Sequence, residues 1–147
     1  MRKAVLAVLL VGLVAGCGGG KKTSTVSSKD YAAALSKLCR SANQQVAGLQ
    51  LTTSIKTWKK NGEQAATIAD HTVKGFEALT PPASLQAAAK AYTSASEDID
   101  SAVKDAADAA RDGNTKKFEQ ALGRQQNATS KAYLAAGRIG ATGCTGG

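Results

Sequence analysis

The chain predicts an all-α fold, an antiparallel up-down-up-down four-helix bundle. Apolar residues recur at three- and four-residue spacing in four separate segments, which is the period of a helix with one buried face. The segments are parted by helix breakers, the clearest being Thr80-Pro81-Pro82 and Gly113. The connections are short, and short connections make consecutive helices antiparallel neighbours.

The start of the chain belongs to none of these segments. Arg2 and Lys3 precede an apolar run from Ala4 to Val14, followed by small residues, the three-part order of an export signal. The run holds about a dozen residues, short of the roughly 20 needed to span a bilayer core. Val14-Ala15-Gly16-Cys17 resembles a bacterial lipobox. That resemblance implies removal of residues 1–16, a diacylglyceryl group on the Cys17 sulfur, and a chain held by lipid at the outer face of a cytoplasmic membrane. Residues 17–27 are then the lipidated cysteine and a tether of Gly, Lys, Ser and Thr, too polar to bury and composed like a flexible linker. Residues 28–147 are the bundle domain.

Ser27, with Asp30 three residues on, resembles a capping pair, and Tyr31, Leu35, Leu38, Ala42, Val46 and Leu49 follow at helical spacing, so the first helix is expected over about 28–49. Gln50 to Thr53 reads as a connection. Ile55, Trp58, Ala65, Ala69, Val73, Phe76 and Leu79 mark the second stripe. Asn61-Gly62 interrupts it at a cost of about 1 to 2 kcal/mol, which predicts a helix either bent there or split, with Asn61 capping the second piece. Pro81-Pro82 stops this helix and restarts the next. Leu85, Tyr92, Ile99, Val103, Ala106 and Ala110 carry the third helix to about Asp112; Gly113 supplies a left-handed stop. Asn114 or Thr115 caps the fourth, in which Phe118, Leu122, Gln125, Thr129, Ala132, Ala135 and Ile139 continue the pattern to Gly140. The last residues are expected to be a Gly-rich tail held only at Cys144.

The cysteine count of three leaves one thiol over in an oxidising compartment. Lipidation of Cys17, as the lipobox resemblance implies, leaves Cys39 and Cys144 as a disulfide pair; the alternative is two free buried thiols. In an up-down-up-down bundle the end of the fourth helix lies beside the start of the first, so topology and pairing agree. Charges offer a check on register. Lys117, Arg124 and Lys131 recur every seven residues on helix four, as Asp98, Asp105 and Asp112 do on helix three. Folding back at Gly113 sets Asp112 against Lys117, Asp105 against Arg124 and Asp98 against Lys131, the flanking pattern by which helices choose partner and orientation.

With 19 Lys plus Arg against 11 Asp plus Glu the formal charge is +8; loss of Arg2 and Lys3 brings it to about +6. That balance suits anionic headgroups or other envelope polyanions, especially through Lys21 and Lys22. With few aromatics, no Arg-rich run and no groove-reading motif, nucleic acid is not an expected partner. His71 is the sole histidine, and residue 68, three before it, is Ile rather than the Glu of a helical di-metal unit. There is no Cys-x-x-Cys-His, no Gly-x-Ser-x-Gly elbow and no phosphate-cradling loop in the mature chain. The carboxylates Glu97, Asp98 and Asp100 read as a solvated face. Neither metal, cofactor nor enzymatic activity is expected. Trp58, Lys59 and Lys60, an amphipathic trio beside the Asn61-Gly62 break, form the candidate contact surface. The many alanines favour close helix packing, which argues against a deep pocket.

The lipobox with Gly18-Gly19-Gly20, the segment Asp30-Tyr31-Ala32-Ala33-Ala34-Leu35 leading to Leu38-Cys39, the Pro81-Pro82 break and the Gly143-Cys144 tail make the chain similar to small lipoproteins of high-GC actinobacteria. The resemblance implies an envelope location and a helical domain, with no catalytic residues to carry over. The leading expectation is a membrane-anchored, non-enzymatic interaction module binding another envelope protein or polymer. The alternative is a small-ligand carrier or sensor, binding between helices near Asn61-Gly62.

Overall fold

In the computed structural model, which describes residues 26–145, the four apolar stripes become four α-helices: α1 Ser28–Gly48, α2 Ile55–Glu77, α3 Gln86–Arg111 and α4 Thr115–Ile139. Among the described residues there is no strand. The expected leader, the expected lipidation site Cys17 and the expected tether through residue 25 lie outside the described residues.

The local signals at the helix ends act through their own side chains. Ser27 Oγ accepts the Asp30 N–H at 3.1 Å and donates to Asp30 Oδ2 at 2.6 Å, and Asn114 Oδ1 accepts the Lys117 N–H at 3.1 Å. Each such cap contributes about 1 kcal/mol by satisfying an orphan donor of the first turn. Gly113 and Gly140 sit at φ 71° and 80°, the left-handed conformation that ends α3 and α4. Beyond them the Asn114 N–H reaches Ala109 O at 2.8 Å and the Ala141 N–H reaches Ala136 O at 3.0 Å, closing carbonyls the helices leave open. Pro82, at φ −65°, opens a 3-10 turn over Ala83–Leu85, and α3 begins after it at Gln86.

Two expectations are revised. Of the alternatives for Asn61-Gly62 the split is excluded, because helix α2 is unbroken through the pair. Gly62 is buried against α3, where an added Cβ would stand 3.1 Å from both Cα and Cβ of Ala107. Asn61 Nδ2 donates to the Leu49 carbonyl at 2.7 Å, just past the end of α1. The pair that weakens the helix locally is thus used in docking α2 to its neighbours. The C-terminal tail is likewise more than a thread held at Cys144. Ala141 is buried, Thr142–Cys144 form a 3-10 turn, and the Gly143 N–H bonds Ser36 Oγ at 3.3 Å. A side chain at Gly143 would collide with the Ser36 carbonyl, so this turn lies flat on α1.

The disulfide joins Cys39 to Cys144 with a Cα–Cα separation of 5.1 Å. Around it one core cluster gathers Tyr31, Leu35, Phe76, Tyr92, Ala136 and Ile139; a second gathers Leu49, Trp58, Ile68, Val103, Phe118 and Ala121. Ile99 packs against both. Alanines at 102, 106, 109 and 110 of α3 and at 121, 128, 132 and 135 of α4 are all buried, and α3 packs most extensively on α4 and then on α2. Small side chains at the seam set the short interaxial distance. Helix α1 rests on α2 and on the C-terminal turn but barely approaches α4.

Of the three expected charge pairs only Asp105 with Arg124 forms, at 2.5 Å. Asp112 instead lies 4.0 Å from Arg111, and Lys131 has no ion pair with Asp98. Seven-residue spacing on straight helices drifts by about 20° per repeat, so one pair in register carries the next away from it. Helices α2 and α3 are joined by a different network: Lys104 meets Asp100 at 2.7 Å and Asp70 at 3.2 Å, and Asp70 also takes Lys74 at 2.6 Å. Hydrogen bonds from Lys74 and then Lys104 hold the Asp70 carboxyl below its ordinary range. Asp100 is therefore tied into a packed pair of helices and is not part of a freely solvated face.

Candidate functional site

Between the second half of α1 and the middle of α4 the bundle is not closed. A cavity of about 570 Å³ lies there, open along one side. The expected close packing of helices therefore does not extend along the whole bundle. The alanine seams bring α3 close to α4 and α2, as small residues should, while α1 is pinned to the C-terminal turn by the disulfide and stays off α4 farther along.

Its floor is apolar: Ala65, Ile68, Ala69, Val73 and Phe76 from α2, with Ile99 and Val103 from α3. Ala42, Asn43, Val46 and Ala47 form one wall on α1, and Gln125, Thr129, Ala132 and Tyr133 the other on α4. The disulfide and Tyr92 border it, and Trp58 contributes as well. No charged side chain lines it. Three hydroxyls that reach it donate to backbone carbonyls one turn back: Thr72 Oγ1 to Ile68 O at 2.6 Å, Thr129 Oγ1 to Gln125 O at 2.8 Å, and Ser96 Oγ to Tyr92 O at 2.9 Å; the exposed Tyr133 hydroxyl on the α4 wall makes no such bond. Such back-bonding occupies the donor of each hydroxyl within its own helix and leaves only acceptor lone pairs toward the space. The cavity is therefore a cleft for an uncharged, mainly apolar molecule.

Tyr92 is the most constrained polar group at its border. Its ring meets Phe76 edge-on at 5.0 Å, and its hydroxyl stands 3.0 Å from Cys39 Sγ. Burial disfavours the phenolate and pushes the Tyr92 pKa from 10.0 up to about 12. The folded chain thus holds this proton more tightly than the unfolded one. The resulting stability is fully present below pH 10 and is lost as pH rises toward 12. Thermal melting should show a decline over that window, and Tyr92→Phe should reduce its slope; an unaltered slope in a folded variant would contradict the assignment.

The residues singled out from sequence are placed unequally. Cys39 and Cys144 are brought together. Trp58 is turned inward, 5% exposed, with its indole N–H on Thr52 O at 2.9 Å and its ring edge-on to Phe118 at 5.7 Å. Lys59 and Lys60 are exposed, so the trio shares no single face. The depression nearest Asn61 is bordered by Gln45, Gln50, Lys60 and Gln64, and Gly62 does not line it. Ligand space between helices lies deeper, toward the disulfide. His71 is exposed, and among the described residues no three His, Cys, Asp or Glu side chains group so as to hold a metal ion. Among the described residues no helix is long and apolar enough to cross a membrane.

Sequence reasoning passed over Asn43 and treated Gln125 and Thr129 as ordinary core positions. Polar residues inside an otherwise apolar stripe were the available signal: both border the cleft instead of filling a core. Val46, expected in the core stripe, is 39% exposed at the α1 wall for the same reason. No family model, curated protein or solved structure matches the chain.

Proposed function

We propose that this domain is a non-enzymatic carrier or sensor that holds a small, uncharged, apolar ligand in the cleft between α1 and α4. In this reading the helices run up-down-up-down, and the Cys17 anchor presents the domain at the extracytoplasmic face of a membrane. Two features support the helix order: the Cys39–Cys144 link between early α1 and the end of α4, and the core cluster that joins Leu49 to Trp58, Val103 and Phe118. The observation that carries the ligand reading is the cavity itself. Its volume of about 570 Å³ falls within the roughly 300–1,000 Å³ of small-molecule sites, and its lining has no charge.

Trp58 is the only tryptophan and borders the cleft, so it reports directly on occupancy. A brominated alkane offered to the full chain in phosphatidylcholine vesicles should quench Trp58 in a saturable manner. Ala69→Phe from the floor and Thr129→Phe from the opposite wall should each weaken the apparent affinity by about tenfold or more, since a new ring takes the space of the ligand. Absence of saturable quenching, or unchanged affinity in both variants with the disulfide and helicity intact, would sink this function.

A further inference from the structure

We infer that the ligand is a single-chain neutral amphiphile, its acyl chain lying along the floor of the cleft and its uncharged head, an alcohol or amide able both to donate and to accept, held at the mouth by Asn43 and Gln125. This rests on the carrier reading and adds the chemical class. The first support is shape. The lining runs along α3 from Tyr92 to Val103, about 16 Å at the helical rise, and farther along α2, so the cleft is elongated along the bundle axis. An extended chain follows such a path; a compact molecule would leave part of it empty.

The second support is the distribution of hydrogen-bonding capacity. Thr72, Thr129 and Ser96 spend their hydroxyls on their own helices, and the Tyr92 hydroxyl sits against Cys39 Sγ. Among the described residues the side-chain amides of Asn43 and Gln125, like the exposed Tyr133 hydroxyl, have no hydrogen-bond partner, and the two amides border the cleft from opposite walls. Asn43 is exposed and Gln125 half-buried, which sets them at the mouth and not on the floor. Each amide offers both a donor and an acceptor, the complement of a neutral head that carries both. A carboxylate or phosphate would find no cation among the lining residues, and burying a charge unpaired is costly.

The test uses the same Trp58 signal with three brominated probes in vesicles carrying the full chain: an alkane, a monoacylglycerol and a fatty acid at a pH where it is ionised. The monoacylglycerol should quench at the lowest concentration and the ionised fatty acid should be weaker. Replacing both amides, Asn43→Leu with Gln125→Leu, should weaken the monoacylglycerol about tenfold while leaving the alkane unchanged, as expected for the loss of hydrogen bonds made only to the head. Retained alkane quenching certifies that the variant is folded; should the double variant lose it, Asn43→Leu alone, on an exposed wall, gives the same comparison. Quenching by the alkane with no response of the monoacylglycerol to the amide changes overturns this inference and leaves the carrier reading standing. No quenching by any probe removes both.

Discussion

Replacing Cys39 and Cys144 together by alanine should lower stability by as much as about 4 to 5 kcal/mol, the chain-entropy value for a loop of this length. The two residues are 105 apart in sequence, so the crosslink removes most of the unfolded chain's freedom to separate the ends of the domain. For a domain of this size the melting temperature should fall on the order of 15 °C. The loss has a structural side as well. The backbones of α1 and α4 come close at few points, with side-chain packing of Tyr31 and Leu35 on Ala136 and Ile139 at one end, and the C-terminal turn that carries Cys144 is one of the two main backbone supports of α1. Without the bridge α1 should swing more freely, and the cleft should lose affinity for an apolar probe more steeply than global stability alone would explain. Reversible denaturant unfolding of the variant and of the oxidised chain measures the first effect. A difference below about 1 kcal/mol would mean that packing of α1 on α2 suffices and that the bridge is dispensable.

Phe118→Ala should cost about 3 to 5 kcal/mol with the disulfide intact. The side chain is 2% exposed, among the largest fully buried in the chain, and lies in the core cluster that the disulfide does not reach. Truncation leaves a void between Trp58, Val103 and the first turns of α4, and it removes the edge-on ring pair with Trp58, itself worth about 0.5 to 1.5 kcal/mol beyond area burial. Trp58 should become more solvated and its emission should shift to longer wavelength, so one sample yields both stability and location. A cost under about 1.5 kcal/mol would show that this end of the bundle collapses around the deletion and that the cluster is loosely packed.

These two sites were legible in the sequence to different degrees. Phe118 opens a clean apolar stripe, and its burial follows from helical period alone. Ser27, Gly113 and Gly140 were equally plain, and the cap of α4 was narrowed to Asn114 or Thr115, because caps and left-handed stops are decided by the residue and its nearest neighbours. The charge ladder was only partly legible: Asp105 and Arg124 meet, but the flanking pairs depend on how two helices are rotated against each other, which spacing along one helix does not encode. Asn61-Gly62 misled for a related reason. Intrinsic propensity charges both residues against the helix, while their compensation comes from Leu49 and Ala107 on other elements.

The sequence by itself determined that this chain makes four amphipathic helices, roughly where they are parted, and which face of each is apolar. Those properties live within a few turns, in side-chain caps, proline and glycine geometry, and hydrophobic period. Only the tertiary structure decided that the bundle is not filled. The gap between α1 and α4 arises because Cys39–Cys144 and the turn over Thr142–Cys144 hold α1 at one end while alanine seams draw the other three helices together. A space between elements is a property of their mutual placement, and no local pattern of residues specifies it.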